Sequence, residues 1–274
     1  MTAVRLRTVD AFTDTPFAGS PAAVVMLDEM PPDAWMAAVA QEMSLPDTAF
    51  VIREDVRDAD LRLRWFTPTM EVDLCGHATL ASAHCLFEDG ATDAIRFATR
   101  SGVLTVERRP DGMLAMDFPA WPATTWDAVD AVGAAIGAPV EWTGRTTNEG
   151  FLLALLADER TVRELDPDLA AVSELDAWIG LIPTAPAEPG RGYDFVSRVF
   201  APHAGIPEDP VTGSAHTVLA PYWADRLGRA SLTGFQASAR SGLVAVEVRG
   251  DRVTVSGRAV TVSDGTLSAA ASPG

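Results

Sequence analysis

Two short passages with the same order of residue types contain the side chains most capable of chemistry. They are Asp73-Leu-Cys-Gly-His-Ala-Thr-Leu and Asp209-Pro-Val-Thr-Gly-Ser-Ala-His, about 137 residues apart. In each, a glycine and a polar residue precede a stretch without charges, which predicts the start of a buried helix. The first backbone N–H groups of a helix lack partners within it and favour anions. We therefore predict that Gly76-His77 and Gly213-Ser214 together form a two-sided clamp for a carboxylate or another anion.

A simpler interpretation is that these residues only cap two helices, with the serine hydroxyl accepting a hydrogen bond from an orphan N–H group. For either passage alone, capping is the better interpretation. The duplication favours ligand binding, because a two-copy repeat predicts two similar half-domains, and such halves bind ligands where they face each other.

Three residues are candidates for acid–base chemistry: Asp47, His77 and Asp209. Asp47 lies at a helix-breaking turn among apolar neighbours, where a carboxyl group is disfavoured in its charged form, as a general base working near neutral pH requires. A solvated turn aspartate fits the composition equally well. His77 lies at a predicted helix start, whereas His84 lies inside that helix. Asp209 lies in a loop rich in proline and glycine, which makes it a better candidate than Asp73.

The four histidines and two cysteines show no metal-ligand spacing, so we predict no metal site. Cys75 and Cys85 are in one predicted helix, a poor arrangement for a disulfide. Cys75 precedes the first glycine turn, but Thr212 takes the matching place in the second. The missing second thiol argues against racemisation by two cysteines and leaves a Cys75-dependent epimerase as a weaker option.

The elements around these residues predict two α+β halves, each with a central buried helix wrapped by strands. A helix over 34–43 precedes Asp47 and a strand over 48–52 follows it; the buried helices begin near His77 and Ser214. The predicted halves are residues 1–118 and 123–274, with the alternative that the last strand returns to the first half. Residues 268–274 are predicted to be a frayed tail.

Composition excludes several functions. The formal net charge of -17 argues against nucleic acid, because a duplex-binding surface needs clustered cations. All 21 basic residues are arginine, which excludes a lysine Schiff base and the usual attachment of pyridoxal phosphate. The start lacks the apolar core of a signal peptide, and the longest apolar run, 151–157, is too short to span a bilayer. We therefore expect a soluble cytoplasmic protein without a membrane partner.

The chain resembles the phenazine biosynthesis-like (PhzF-like) family. The resemblance rests on Val9-Asp-Ala-Phe-Thr, Gly19-Ser-Pro-Ala-Ala-Val-Val, Asp47-Thr-Ala-Phe-Val, Leu74-Cys-Gly-His-Ala-Thr-Leu-Ala and Glu208-Asp-Pro-Val-Thr-Gly-Ser-Ala-His. It implies a diaminopimelate-epimerase-like fold of two halves, each a strand barrel around a central helix, with the active site in the cleft between them. It also implies a homodimer.

The best-known activity of that family is a cofactor-free isomerisation of a dihydro-hydroxyanthranilate. The resemblance implies Asp47 as the proton shuttle and His77 and Asp209 as supporting acid–base or hydrogen-bonding groups. It implies that Gly76, Gly213 and Ser214 bind the substrate carboxylate. The family usually has Glu at the position of Asp47 and Asn at that of Ser20.

We therefore expect a cofactor-independent isomerase or epimerase that acts on a small carboxylate-bearing molecule. The shorter side chain of Asp47 withdraws the carboxylate by roughly one C–C bond length, and a misplacement of about 1 Å can cost on the order of 100-fold in rate. This departure supports the alternative, a non-catalytic protein of the same fold that binds small carboxylates.

Overall fold

The computed structural model describes residues 4–54, 56–146, 150–177 and 179–273. The strands, in chain order, are β1 (Arg5–Ala11), β2 (Ser20–Leu27), β3 (Asp47–Ile52), β4 (Leu61–Phe66), β5 (Glu71–Val72), β6 (Ile95–Thr99), β7 (Gly102–Arg108), β8 (Leu114–Pro119), β9 (Thr124–Thr125), β10 (Trp142–Arg145), β11 (Phe151–Leu155), β12 (Gly180–Pro186), β13 (Phe195–Ser197), β14 (Ser231–Gln236), β15 (Gly242–Arg249), β16 (Arg252–Gly257) and β17 (Ala259–Thr266).

The α-helices are α1 (Asp33–Met43), α2 (Gly76–Glu88), α3 (Val129–Ile136), α4 (Glu159–Glu164), α5 (Leu169–Ser173) and α6 (Ala215–Leu227). Two 3-10 helices cover Pro202–Ala204 and Ala269–Ala271. None of the helices within the described ranges is long and apolar enough to cross a membrane. The mixture of strands and helices agrees with the predicted α+β class.

The chain folds into two compact units. The first contains Met1–Asp117 and Ser256–Gly274, and the second contains Phe118–Val255. The division after Asp117 lies next to the predicted limit of the first half at residue 118. The last strand, β17, pairs antiparallel with β1 and lies in the first unit.

The first unit surrounds α2 with strands. β1 pairs antiparallel with β2 as well as with β17, and β2 runs parallel to β3, which pairs antiparallel with β4. The helix contacts β1, β2, β3 and β17. Because α2 carries no charge before its last residue, it buries most of its surface, as its sequence predicts.

An apolar cluster of the first unit lies between α1 and the strands, and it fixes the strand that begins at Asp47. Its larger members are Val25, Leu27, Met36, Phe50, Ile52 and Phe66. Full burial of such a side chain stabilises the fold by about 1.5–3 kcal/mol. The helix ends where Ser44 adopts a left-handed conformation (φ 51°), and its N–H group donates to the carbonyl of Ala40.

The predicted frayed tail is wrong for its described part. The Trp35 indole N–H donates to the carbonyl of Ala271 at 2.9 Å, and Ala269–Ala271 form a short 3-10 helix. The hydrogen bond joins segments more than two hundred residues apart in sequence, so the small residues of the tail give no local sign of it.

The second unit contains α6, which packs against β14 and β15. β11 runs parallel to β12, β13 runs parallel to β14, and β14 pairs antiparallel with β15. The core includes Val132, Ile136, Leu152, Leu181, Val196 and Phe200. Pro221 lies within α6, which nevertheless continues to Leu227.

Candidate functional site

Asp47 is the first residue of β3 and is buried, with 8 % of its surface exposed. It pairs across the parallel β2–β3 ladder with Ala22. The prediction that Asp47 lies in the turn is wrong by one residue, because the strand begins at Asp47 and not at Thr48. The left-handed Ser44 ends α1 early enough for Leu45 and Pro46 to complete the turn.

His77 brings the start of α2 into contact with Asp47. It is the second residue of the helix, and its Nε2 atom lies 3.5 Å from Oδ2 of Asp47. Burial lowers the pKa of His77 to about 4, because a charged imidazolium would lose its hydration there. The imidazole is therefore neutral at physiological pH, and one ring nitrogen is a proton acceptor.

Cys75 completes a group of three polar side chains. Its Sγ atom lies 3.6 Å from Nδ1 and 3.9 Å from Nε2 of His77. Thr79 donates through its hydroxyl to the Cys75 carbonyl at 2.5 Å, which ties the residue before the helix to the first turn. Cys75 and Cys85 are both reduced and buried.

Asp47, Cys75 and His77 also form a candidate metal-binding group, although their spacing in sequence predicts none. One ligand atom from each residue lies within 4.8 Å of the others, and all three residues are buried. They come from two elements, β3 and the start of α2, so no local motif contains all three.

Asp209 lies in the second unit within a network of hydrogen bonds. The Thr212 hydroxyl donates to Oδ2 of Asp209 at 2.5 Å. The Gln236 amide group donates to the Asp209 carbonyl at 2.7 Å and its Oε1 atom accepts from the Thr212 N–H group at 2.9 Å. Burial raises the pKa of Asp209 to about 6, and the hydrogen bond from Thr212 opposes that rise.

His216 is the second residue of α6, as His77 is of α2. It is fully buried, and burial lowers its pKa to about 4. Its Nδ1 atom lies 2.9 Å from the Thr212 carbonyl, which fixes Nδ1 as the protonated nitrogen that donates. Among the described residues, Nε2 has no hydrogen-bond partner.

The two helix starts are not capped by side chains. Cys75 precedes α2 and Ser214 precedes α6, and neither accepts a capping hydrogen bond through its side chain. The capping interpretation required such a bond from Ser214. Gly76 begins α2, and Gly213 is buried directly before Ser214.

The structure thus groups the predicted residues within each unit. In the first unit Asp47, Gly76 and His77 lie together; in the second, Asp209, Gly213 and Ser214 lie on the segment that leads into α6. Asp73 is exposed and lies 3.6 Å from Arg100, as expected for a surface charge.

Sequence reasoning did not identify Gln236 or the roles of Thr212 and His216. Gln236 is fully buried at the end of β14, and a lone amide at a strand end between apolar residues was the available signal. Ser20, where the family usually has Asn, is fully buried. Among the described residues its hydroxyl has no hydrogen-bond partner.

Comparisons with known proteins match nearly the whole chain. The family model of the phenazine biosynthesis-like protein matches residues 9–265. An uncharacterized isomerase of Pseudomonas aeruginosa is 48 % identical over 261 residues, which cover 94 % of this chain and 96 % of that protein.

Solved structures agree with that match. A crystal structure of a PhzF-family phenazine biosynthesis protein from Enterococcus faecalis has a TM-score of 0.91 and 37 % identity, and covers 97 % of this chain and 100 % of its own. A hydroxyproline epimerase from Agrobacterium vitis, at 11 % identity and a TM-score of 0.60, covers 96 % of this chain and 92 % of its own and shares the fold alone. The predicted epimerase-like α+β architecture is confirmed.

Proposed function

This chain belongs to the phenazine biosynthesis-like family, and we propose that it is a cofactor-independent isomerase or epimerase that moves a proton on a small carboxylate-bearing substrate. Relatives named as isomerases support an isomerase function at the general level and do not favour the alternative of a non-catalytic binding protein. The observation that carries the finer proposal is the buried contact of 3.5 Å between Asp47 and His77 at the start of α2.

Asp47 is the proposed base. Its carboxylate removes a proton from a carbon next to a carbonyl or unsaturated system and returns it elsewhere on the same face. Asp47 is only 8 % exposed, so bulk water has little access to the carboxylate that would take the proton. The contact with His77 supports this role, since a neutral imidazole can donate to the carboxylate or to the substrate from one nitrogen and accept at the other.

Asp209 is the proposed supporting acid: it protonates the substrate oxygen that becomes negative when Asp47 removes the carbon-bound proton, and it takes that proton back when Asp47 returns the other one. Its raised pKa of about 6 leaves part of the population protonated near neutral pH, which a proton donor requires. Thr212 and Gln236 hold the carboxyl group and its backbone in one orientation. Orientation of this kind contributes to rate because a displacement of about 1 Å is costly.

Gly76, Gly213 and Ser214 are the proposed carboxylate-binding residues. The N–H groups in the first turn of a helix point outward from its N-terminal end, roughly along the helix axis. They therefore favour a negative charge at that end. Both α2 and α6 are helices of 13 residues, and neither start is closed by a side-chain cap. A substrate similar to dihydro-hydroxyanthranilate carries a carboxylate suited to such groups.

We also propose a homodimer, in agreement with the resemblance. Gel filtration with light scattering tests this directly. A mass of twice 29.0 kDa is expected, and the mass of a single chain would contradict it.

Isomerisation in heavy water tests the catalytic proposal. Candidate substrates are small cyclic and amino-acid-like carboxylates, and NMR detects deuterium at the carbon that receives the proton. We expect incorporation or transfer with the wild type, a loss on the order of 10²- to 10⁴-fold in Asp47→Asn, and retained exchange in Asp47→Glu, which keeps the acid. Turnover in Asp47→Asn equal to wild type would remove Asp47 from the mechanism.

A further inference from the structure

The group formed by Asp47, Cys75 and His77 has the dimensions of a zinc site. Nε2 of His77 lies 3.5 Å from Oδ2 of Asp47 and 3.9 Å from Sγ of Cys75. In tetrahedral zinc sites, bonds of about 2.0–2.3 Å place neighbouring ligand atoms roughly 3.3–3.7 Å apart. All three ligand atoms lie within 4.8 Å of one another, so small side-chain rotations bring them to that geometry.

The donor set selects the kind of metal. One sulfur, one imidazole nitrogen and one carboxylate oxygen suit Zn²⁺, whereas Mg²⁺ and Ca²⁺ require shells of oxygen ligands. Three protein ligands leave the fourth tetrahedral position for water or a substrate oxygen.

Charge balance also favours a dication in this buried position. The Asp47 carboxylate and the Cys75 thiolate together carry two negative charges, which neutralise the charge of Zn²⁺. A neutral site avoids the large desolvation cost of an isolated buried ion. Binding releases the thiol proton of Cys75 to solvent, so the affinity should rise with pH.

We propose that Asp47, Cys75 and His77 bind Zn²⁺, and that the bound ion blocks proton transfer by occupying the carboxylate and the imidazole. The proposal that Zn²⁺ binds does not depend on the proposed function. The proposal that Zn²⁺ blocks proton transfer rests on that function. Cys75 is then a metal ligand that catalysis does not use, whereas Asp47 and His77 serve both purposes.

Cobalt is the probe for the first test, because Co²⁺ replaces Zn²⁺ and absorbs in the near ultraviolet when a thiolate binds it. The full chain, without any affinity tag and after treatment with chelator, is titrated with CoCl₂. We expect a thiolate-to-cobalt band that saturates at one ion per chain and disappears when ZnCl₂ is added. Cys75→Ser should lose the band, and Cys85→Ser, which changes the other buried thiol, should keep it.

Competition with a zinc indicator measures affinity. We expect Cys75→Ser to weaken Zn²⁺ binding on the order of 100-fold and Cys85→Ser to leave it within about threefold of wild type. Circular dichroism of both variants shows whether they remain folded. Absence of the cobalt band in the folded wild type, or its persistence in Cys75→Ser, would overturn the site.

The second test uses turnover, with a substrate identified by deuterium exchange. Zn²⁺ should slow the wild type, a chelator should restore the rate, and Cys75→Ser should resist at zinc concentrations that saturate the wild type. Zinc that binds through Cys75 without slowing turnover would overturn the block. Failure of the proposed function is distinguishable, because it removes turnover and leaves the cobalt band unchanged.

Discussion

The starts of α2 and α6 contain the same residue types in different surroundings. Each helix has a buried histidine as its second residue, and burial lowers both pKa values to about 4. The ring of His77 contacts two side chains, Asp47 and Cys75, whereas the described partner of His216 is the Thr212 carbonyl. A histidine among reactive side chains can take part in chemistry, while one fixed by the backbone positions the chain around it.

The two acids differ in the same way. Asp47 comes from a strand of another part of the first unit and meets the helix start through space. Asp209 belongs to the segment that leads into α6 and is held by Thr212, three residues ahead. The first arrangement places a carboxyl group beside a neutral imidazole, and the second holds a carboxyl group whose pKa burial raises to about 6. The two copies of the passage therefore hold their carboxyl groups in different surroundings, as the different roles proposed for Asp47 and Asp209 require.

The largest effect that tests this difference should come from Asp209→Asn. If Asp209 is the proton donor, kcat/KM of the wild type falls as the pH rises through about 6, where the carboxyl group loses its proton. The variant should lose about 10²- to 10⁴-fold in rate, and its kcat/KM should no longer show this fall with rising pH, the alkaline limb of the pH–rate profile. A pH–rate profile from pH 5 to about 9 makes the measurement.

Asp73→Asn is the matched control, because Asp73 is the exposed aspartate at the other copy of the passage. It should keep the wild-type profile. A wild-type rate that rises through pH 6, with the limb again absent in Asp209→Asn, would reverse the assignment and make Asp209 a base.

His216→Asn should change how stability depends on pH. In the folded chain the pKa of His216 is about 4, below its value of 6.5 in the unfolded chain, so the unfolded state binds more protons between these values. Stability therefore rises with pH across this window, by up to about 1.4 kcal/mol per pH unit for this group, and the penalty is complete below pH 4.

Urea denaturation at several pH values from 4 to 7 measures that slope. His216→Asn should be less stable near pH 7, because it loses the bond to the Thr212 carbonyl, and its slope should be shallower. The exposed His203→Asn serves as the control and should keep the wild-type slope. Equal slopes in all three proteins would show that His216 is protonated in the folded state.

Much of the fold could be predicted from sequence because its signals are local. The uncharged stretches predict α2 and α6, and the break after Met43 predicts the end of α1. The structure of the tail could not be predicted, because it depends on the hydrogen bond from the indole of Trp35 to Ala271. Such contacts join distant segments and leave no periodic pattern.

In the candidate site, too, the features with local sequence signals could be predicted and the contacts between distant segments could not. The proposed anion-binding helix starts follow from residue types within a few positions of one another, and the family resemblance supplied the proposed role of Asp47. The contact between Asp47 and His77 depends on how β3 packs against α2, thirty residues later. The sequence did not reveal the candidate metal-binding group for the same reason: zinc motifs in sequence have short spacings, and Asp47 lies far in sequence from Cys75 and His77.

Thr212→Val should have a smaller effect that sharpens the role of the hydrogen bond at Asp209. The hydroxyl of Thr212 stabilises the carboxylate and thereby lowers the pKa of Asp209. Its removal should move the alkaline limb of the pH–rate profile to higher pH and change the maximal rate by no more than about tenfold, the value of one hydrogen bond. Thr212→Ser keeps the hydroxyl, so the rate should fall over the same pH range as in the wild type. If the rate of Thr212→Val also falls over the wild-type range, this pH dependence does not come from Asp209.

The smallest effect is expected for Cys75→Ser in buffer freed of metal ions. If Asp47 moves the proton, the thiol takes no part, and serine can replace its contact with His77. The rate should therefore stay within about threefold of wild type, well below the 10²-fold or more that a general base contributes. A fall of 10²-fold or more, matched by inactivation on alkylation of the wild type, would make Cys75 the base. The difference between the two helix starts would then be that a thiol, Cys75, stands in one passage where a hydroxyl, Thr212, stands in the other. The enzyme would be a Cys75-dependent epimerase.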